Sequence, residues 1–142
     1  MRSRGVTPIL PVQSLEASIN YYVRLLGFKL DWQSPGFALL SRGPCGIFLS
    51  QSNQGHAGGW VWVGVSDSHV LLKKYCRTGA RVRQVRTNYP WLYEVQVEDP
   101  SGNVLRFGSD PKKDGPVGKW LDLRDDRRVM SFGNQWTLVE AQ

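Results

Sequence analysis

The sequence predicts an α+β fold of two βαβββ modules, whose eight strands form a curved mixed sheet around a cleft. Three observations predict it. The order strand, helix, three strands occurs twice between residues 6 and 109. Both helices close on a glycine, and the spacing from Ser14 to Gly27 equals that from Ser66 to Gly79. The stretch "WVWVGV" alternates Trp60 and Trp62 with Val61, Val63 and Val65. In a strand this sets two indoles on one face and three valines on the other. A valine face suits a core, whereas a tryptophan face needs another occupant, and lining the cleft supplies one. Sequence identity between the halves is low, so the duplication rests on the order of elements.

The elements follow in turn. "VTPILPVQ" (6–13) is apolar and β-branched with two prolines, which suits an edge strand. "SLEASINYYVRLLGF" (14–28) is a helix capped by Ser14, with Leu15, Ile19, Tyr22, Val23 and Leu26 at helical spacing and Gly27 at its end. Three short apolar runs follow, at 28–33, 37–42 and 46–51, separated by the turns "SPG" and "RGPCG". This completes a first module at about 6–52. A loop rich in Gly, Asn and Gln leads to the second module, at about 60–109. That module has a strand at 60–65, a helix at 66–79, and strands at 80–86, 92–98 and 103–109, with "DPSG" as the last turn. The tail, 111–142, is a C-terminal extension outside the duplicated domain (1–110). Its "VMSFGNQWTLVE" reads as two short strands around Gly133–Asn134, and Trp120 and Trp136 point to a packed hairpin.

Composition narrows the function. A chain of 142 residues with 41% hydrophobic and 21% charged residues is an ordinary globular protein. No apolar run approaches the ~20 residues of a membrane span. "MRSRGVTPIL" has basic residues without a long apolar region after them, so a cytoplasmic location is expected. Two cysteines, Cys45 and Cys76, are too few for a disulfide framework. The net charge is +6, but the basic residues are scattered apart from Arg81, Arg83 and Arg86, which argues against a nucleic-acid partner. His56 and His69 have no second ligand at a metal-motif spacing, and no Ser-His-Asp set, P-loop or G-x-G-x-x-G is present.

The helix "VQSLEASINYYVRLLGF", the "WVWV" strand after a glycine-rich loop and the turn in "VEDPSGNVLRF" together resemble the glyoxalase / bleomycin-resistance / dioxygenase superfamily, the vicinal-oxygen-chelate fold. The likeness covers roughly residues 6–110, and within the superfamily "PWLYEVQVEDPSGNVLRF" is most similar to the bleomycin-resistance proteins. That resemblance implies a homodimer, swapped or side by side. It also implies a ligand cleft at the dimer interface and no chemistry on the ligand. The superfamily's metal-ligand positions fall here on Thr7, Ser50, Trp60 and Arg106. Two hydroxyls, an indole and a guanidinium are a poor donor set for a divalent ion, so no metal and no cofactor are expected. The aromatic clamp that holds a flat part of the drug falls on Phe37 and Trp91, with Trp32 as a further aromatic and Ser50 as a small wall residue. With Trp60, Trp62 and Arg106 these are the expected ligand-binding residues, and no catalytic residue is expected. Arg106 shares a face with Glu94, Gln96 and Glu98, where it either pairs with a carboxylate or meets an anionic ligand. Bleomycin is cationic and its binding proteins are acidic, whereas this chain is basic. The expectation is therefore a sequestering protein for a planar, antibiotic-type compound. The alternative is a superfamily enzyme with a non-standard site, for instance His56 with Glu94 or Glu98.

Overall fold

The computed structural model describes residues 1–83, 86–113, 115, 117–122, 128–132 and 135–139. The first module comprises β1 (Ile9–Pro11), α1 (Leu15–Arg24), β2 (Lys29–Ser34), β3 (Phe37–Arg42) and β4 (Cys45–Ser50). The second comprises β5 (Trp60–Gly64), α2 (Ser68–Thr78), β6 (Arg81–Val82), β7 (Arg86–Tyr89), β8 (Leu92–Glu98) and β9 (Val104–Ser109). The fold class is the expected one, α+β with two βαβββ modules. The strand expected at 80–86 is cut short to β6, and β7 lies mostly beyond it in a stretch not expected to be a strand; the two pair with opposite ends of β8.

The strands of one chain are shared between two sheets. The first has the order β1-β4-β3-β2, with β1 parallel to β4. The second repeats that order as β5-β9-β8-β7, with β5 parallel to β9. The duplicated element order thus becomes a duplicated topology. Each sheet lays one face on its helix and leaves the other without a helix.

The helix-side faces share one core. Leu10, Leu26, Ala38, Leu40, Ile47 and Leu49 join Val63, Leu72, Tyr75, Val95, Val97 and Phe107 in a single buried cluster. Tyrosine hydroxyls stitch the modules across it. Tyr21 Oη donates to the Glu98 carbonyl at 2.7 Å, Tyr22 Oη to Asp99 at 2.9 Å and Tyr75 Oη to the Leu26 carbonyl at 2.9 Å. Burial pushes the Tyr75 phenol up to about 12, so it stays a donor at any physiological pH.

The "DPSGN" turn is a second stitch. Asp99 and Asn103 are fully buried. One Asp99 oxygen accepts from the amides of Ser101 and Asn103, and the other from Tyr22 and the Asn103 side chain. Asn103 also donates to the Pro11 carbonyl at 2.8 Å and accepts from the Gly59 amide at 2.9 Å. It thereby joins the end of β1 to the start of β5. Gly102, with φ of 83°, supplies the left-handed residue that closes the turn. The most recognisable piece of the sequence is thus an architectural joint.

Ser14 caps the first helix as expected, whereas the second starts two residues later than the expected 66 and takes Asp67 as its cap. Ser14 Oγ accepts from the Ala17 amide at the start of α1. Asp67 caps α2, accepting from the amides of His69 (2.8 Å) and Val70 (3.2 Å), and Lys112 Nζ lies 3.7 Å away. Partial desolvation opposes the charge on Asp67, but these bonds and Lys112 outweigh it and hold the carboxyl below its ordinary range. A depressed folded-state pKa stabilises the fold above the unfolded value, about 4, and that contribution is lost as pH falls through the folded pKa. Asp67→Ala is expected to cost about 1 kcal/mol at neutral pH. In urea denaturation series, its deficit against the parent should shrink below about pH 4.

The extension continues the second sheet. β10 (Gly118–Asp122) pairs antiparallel with β7, and β11 (Arg128–Phe132) and β12 (Gln135–Val139) follow in order. β11 and β12 pair antiparallel, and the hairpin turn expected at 133–134 lies outside the described residues. The crossover to β10 is pinned by Asn88, which is 1% exposed. Its amide donates to the carbonyls of Lys112 and Gly115, and its oxygen accepts from the Lys112 amide. Asn88→Ala leaves these buried groups unpaired at about 1–3 kcal/mol. It is expected to lower the unfolding midpoint and to speed hydrogen exchange of the β10 amides most.

Candidate functional site

The candidate site comprises the two sheet faces that carry no helix. On the first, β3 alternates Ala38 and Leu40 toward the core with Phe37 and Leu39 on the other side. Cross-strand pairing puts Phe48 beside Leu39, Ile9 beside Phe48 and Ser50 beside Phe37. Trp32 joins this face only because of a β-bulge. Leu30 pairs with Leu40, yet Trp32 pairs with Leu39, so one extra residue turns the strand over between them. Phe37 stacks on Phe48 at 4.9 Å and meets Trp32 edge-on at 6.2 Å. Ser50 is fully buried, with its hydroxyl 2.6 Å from that of Ser52, so it offers bulk rather than a free polar group.

On the second face, Trp60 and Trp62 stand opposite Val104 and Arg106. Both indoles are 55% exposed, so the two tryptophans lie on the face away from the core valine Val63. The Arg83 guanidinium lies 5.4 Å from the centre of the Trp60 ring, a cation–π contact. Trp62 lies over two glycines. A Cβ on Gly108 would come within 2.7 Å of its Nε1, and one on Gly64 within 3.1 Å of its ring edge. Neither has a positive φ, so their role is spatial: Gly108 has no room for a Cβ with the indole in this seat, and Gly64 would hold one only tightly. Beyond them, at the turn between β7 and β8, Trp91 is 73% exposed and stacks on Tyr89 at 5.4 Å, nearly parallel.

The polar centre of this face is one ion pair. Arg106 Nε and Nη2 both donate to Glu94 Oε2, at 2.9 and 2.5 Å, and Gln96 donates to Oε1 at 2.8 Å. Glu94 is 2% exposed, whereas the Arg106 side chain is 37% exposed. The hydrogen bonds that Arg106 donates to Glu94, against slight desolvation, raise the Arg106 pKa further above its already high value. Of the two alternatives open for Arg106 in sequence, pairing with a carboxylate is realised.

The expected site residues therefore fall into two groups. Trp32, Phe37 and Ser50 share the first sheet, and Trp60, Trp62 and Arg106 share the second, with Trp91 at its rim. Phe37 and Trp91 stack on neighbours of their own rather than on each other. Phe48, Tyr89 and the glycine floor under Trp62 were not singled out from sequence, and Arg83 was marked there only as part of a basic cluster. Gly64, two residues beyond Trp62 on the same strand face, was the available signal for that floor. The four positions implied as metal ligands are also divided: Thr7, ahead of β1 and beside Gly46 of β4, and Ser50 lie with the first sheet, and Trp60 and Arg106 lie on the second. An indole stacked with a guanidinium, an arginine bonded to glutamate and a hydroxyl bonded to serine do not fit a divalent cation. Among the described residues no three His, Cys, Asp or Glu side chains converge as metal ligands. Two hollows, of about 690 Å³ beside Ile19, Val23 and Leu30 and about 400 Å³ beside Arg42, Asp67 and Lys74, border the helices away from both aromatic faces. No helix among the described residues is long and apolar enough to cross a membrane.

Comparison with known proteins matches this geometry at the level of fold. The bleomycin-binding protein from bleomycin-producing Streptomyces verticillus, solved with copper(II)-bleomycin, superposes with a TM-score of 0.67 at 22% identity, over 79% of this chain and 99% of that one. The bleomycin resistance determinant encoded on transposon Tn5 gives 0.66 at 18% identity, over 76% and 98%. TioX from Micromonospora sp. ML1 gives 0.64 at 23% identity, over 75% and 99%. No curated protein matches the chain by sequence. The family model of the glyoxalase/bleomycin resistance protein/dioxygenase superfamily matches residues 6–107, most of the chain, and the chain belongs to that superfamily.

Proposed function

We propose that this chain is a non-catalytic cytoplasmic protein that binds and sequesters a planar aromatic, antibiotic-type small molecule in a cleft closed between two copies. One observation carries this reading. Trp32, Trp60 and Trp62 on sheet faces that no helix covers, and Trp91 at the rim of the second, are between 51 and 73% exposed. A soluble protein rarely leaves such surface open without a partner or ligand for it. Setting the first face of one copy against the second face of the other gives a cleft with aromatic walls on both sides. Trp32 and Phe37 line one wall, with the buried Ser50 as packing behind Phe37, and Trp60, Trp62, Trp91 and Arg106 line the other. Each offset or edge-to-face ring pair adds about 0.5–1.5 kcal/mol beyond burial.

The charge argues about which ligand. Arg81, Arg83 and Arg106 outnumber Glu94 and Glu98 on the second face, in a chain of net charge +6. A cationic drug such as bleomycin gains no electrostatic steering from such a protein, and a neutral or anionic compound suits it better. Against the enzyme alternative, Glu94 has both oxygens bonded, and Glu98 lies 4.0 Å from Arg83.

The test is a tryptophan-fluorescence titration of chelator-treated protein with bleomycin and with naphthalene-2-carboxamide, at two salt concentrations, alongside sedimentation equilibrium. The expected result is a dimer, saturable quenching near one ligand per chain by the neutral compound, and weaker quenching by bleomycin. A monomer at micromolar concentration whose tryptophans respond to neither compound would sink the reading.

A further inference from the structure

The polar centre of the second face has donors to spare. A guanidinium carries five N–H groups in a planar fork. Arg106 spends two of them, from Nε and Nη2, on a single oxygen of Glu94. The remaining three have no acceptor among the described residues, and the side chain is 37% exposed. Its head is nevertheless held in place, because Glu94 beneath it is buried and is gripped from its other oxygen by Gln96. In the ladder, Arg106 sits between Trp62 on β5 and Gln96 on β8. A flat ring lying on the exposed Trp62 indole therefore has a pre-oriented row of donors beside it.

The geometry points to an aryl carboxylate, or another planar aromatic with an acceptor-only group on its ring, as the ligand class, with the free edge of Arg106 as the recognition element. This inference rests on the binding reading above and specifies its ligand. A fixed fork of donors matches the two oxygens of a carboxylate and repels a donor-only substituent such as an ammonium. Glu94 already balances the charge of Arg106, so in-plane hydrogen bonding carries most of the selection. A neutral carboxamide, with one acceptor oxygen, falls between the two extremes.

Three probes with one ring system test this: naphthalene-2-carboxylate, naphthalene-2-carboxamide and (naphthalen-2-yl)methylammonium. Their affinities are read from the tryptophan indole N–H signals in two-dimensional NMR. The expected order is carboxylate, carboxamide, ammonium, with at least about tenfold between the ends. In the double variant Glu94→Gln/Arg106→Gln, which removes the buried pair together and strands neither charge, the order should collapse to within about twofold. Equal binding of all three probes by the parent protein would overturn the inference and leave the aromatic cleft standing. Persistence of the order in the folded double variant would overturn it as well. If no probe moves the signals of Trp60 or Trp62, the cleft reading falls together with it.

Discussion

Arg106→Ala is expected to destabilise the protein by about 3–5 kcal/mol, the largest single effect of any change on the open faces. The reason is the carboxylate that it leaves behind. Glu94 is 2% exposed, and after the truncation only Gln96 still donates to it. The part-exposed position of Arg106 lets water reach the vacated space, which sets the result toward the lower end of that range. Glu94→Gln/Arg106→Gln removes both charges and should cost less than the single change, since a buried ion pair repays little beyond its own desolvation. Urea denaturation of the three proteins checks this. If Arg106→Ala costs under about 1 kcal/mol, or if the double variant is the less stable, the pair does not anchor the face.

The second large effect is on binding. Gly108→Ala places a methyl group 2.7–2.9 Å from the Trp62 indole and 2.8 Å from Leu92 Cδ1, so the indole has to leave its seat. The backbone of Gly108 has no positive φ, and both neighbours are side chains that can move, so the fold itself should survive. Affinity for naphthalene-2-carboxamide is expected to fall at least about tenfold, or roughly 1.4 kcal/mol. Trp62→Ala should lose a similar amount without moving the strand. Calorimetric titration, with near-ultraviolet circular dichroism to follow the indole, separates the outcomes. A displaced indole with unchanged affinity would mean that Trp62 is not part of the binding wall.

Part of this site is legible in the sequence. The alternation of Trp60 and Trp62 with valines depends only on the period of an extended chain, so their outward face was readable before any fold was known. Ser14 and Gly27 around the first helix were equally local. Other features were not legible, for identifiable reasons. Trp32 and Leu30 are two residues apart and would share a face in a regular strand, but the bulge between them puts the tryptophan opposite Leu39. The run 80–86 has a uniform strand composition, yet β6 ends at Val82 and β8 pairs with two partners. The pairing of Arg106 with Glu94 joins residues twelve apart on neighbouring strands, and sequence offered Glu98 equally well.

By itself, then, the sequence determined the order and kind of elements, their caps and turns, and which side chains alternate to which side. Those depend on spacing, backbone geometry and hydrogen bonds between near neighbours. Only the tertiary structure decided how the strands are shared between two sheets, which aromatic rings share a surface, and that Arg106 bonds Glu94 while keeping a free edge. Each of those depends on register between strands distant in the chain, and a shift of one residue there exchanges the buried face for the open one.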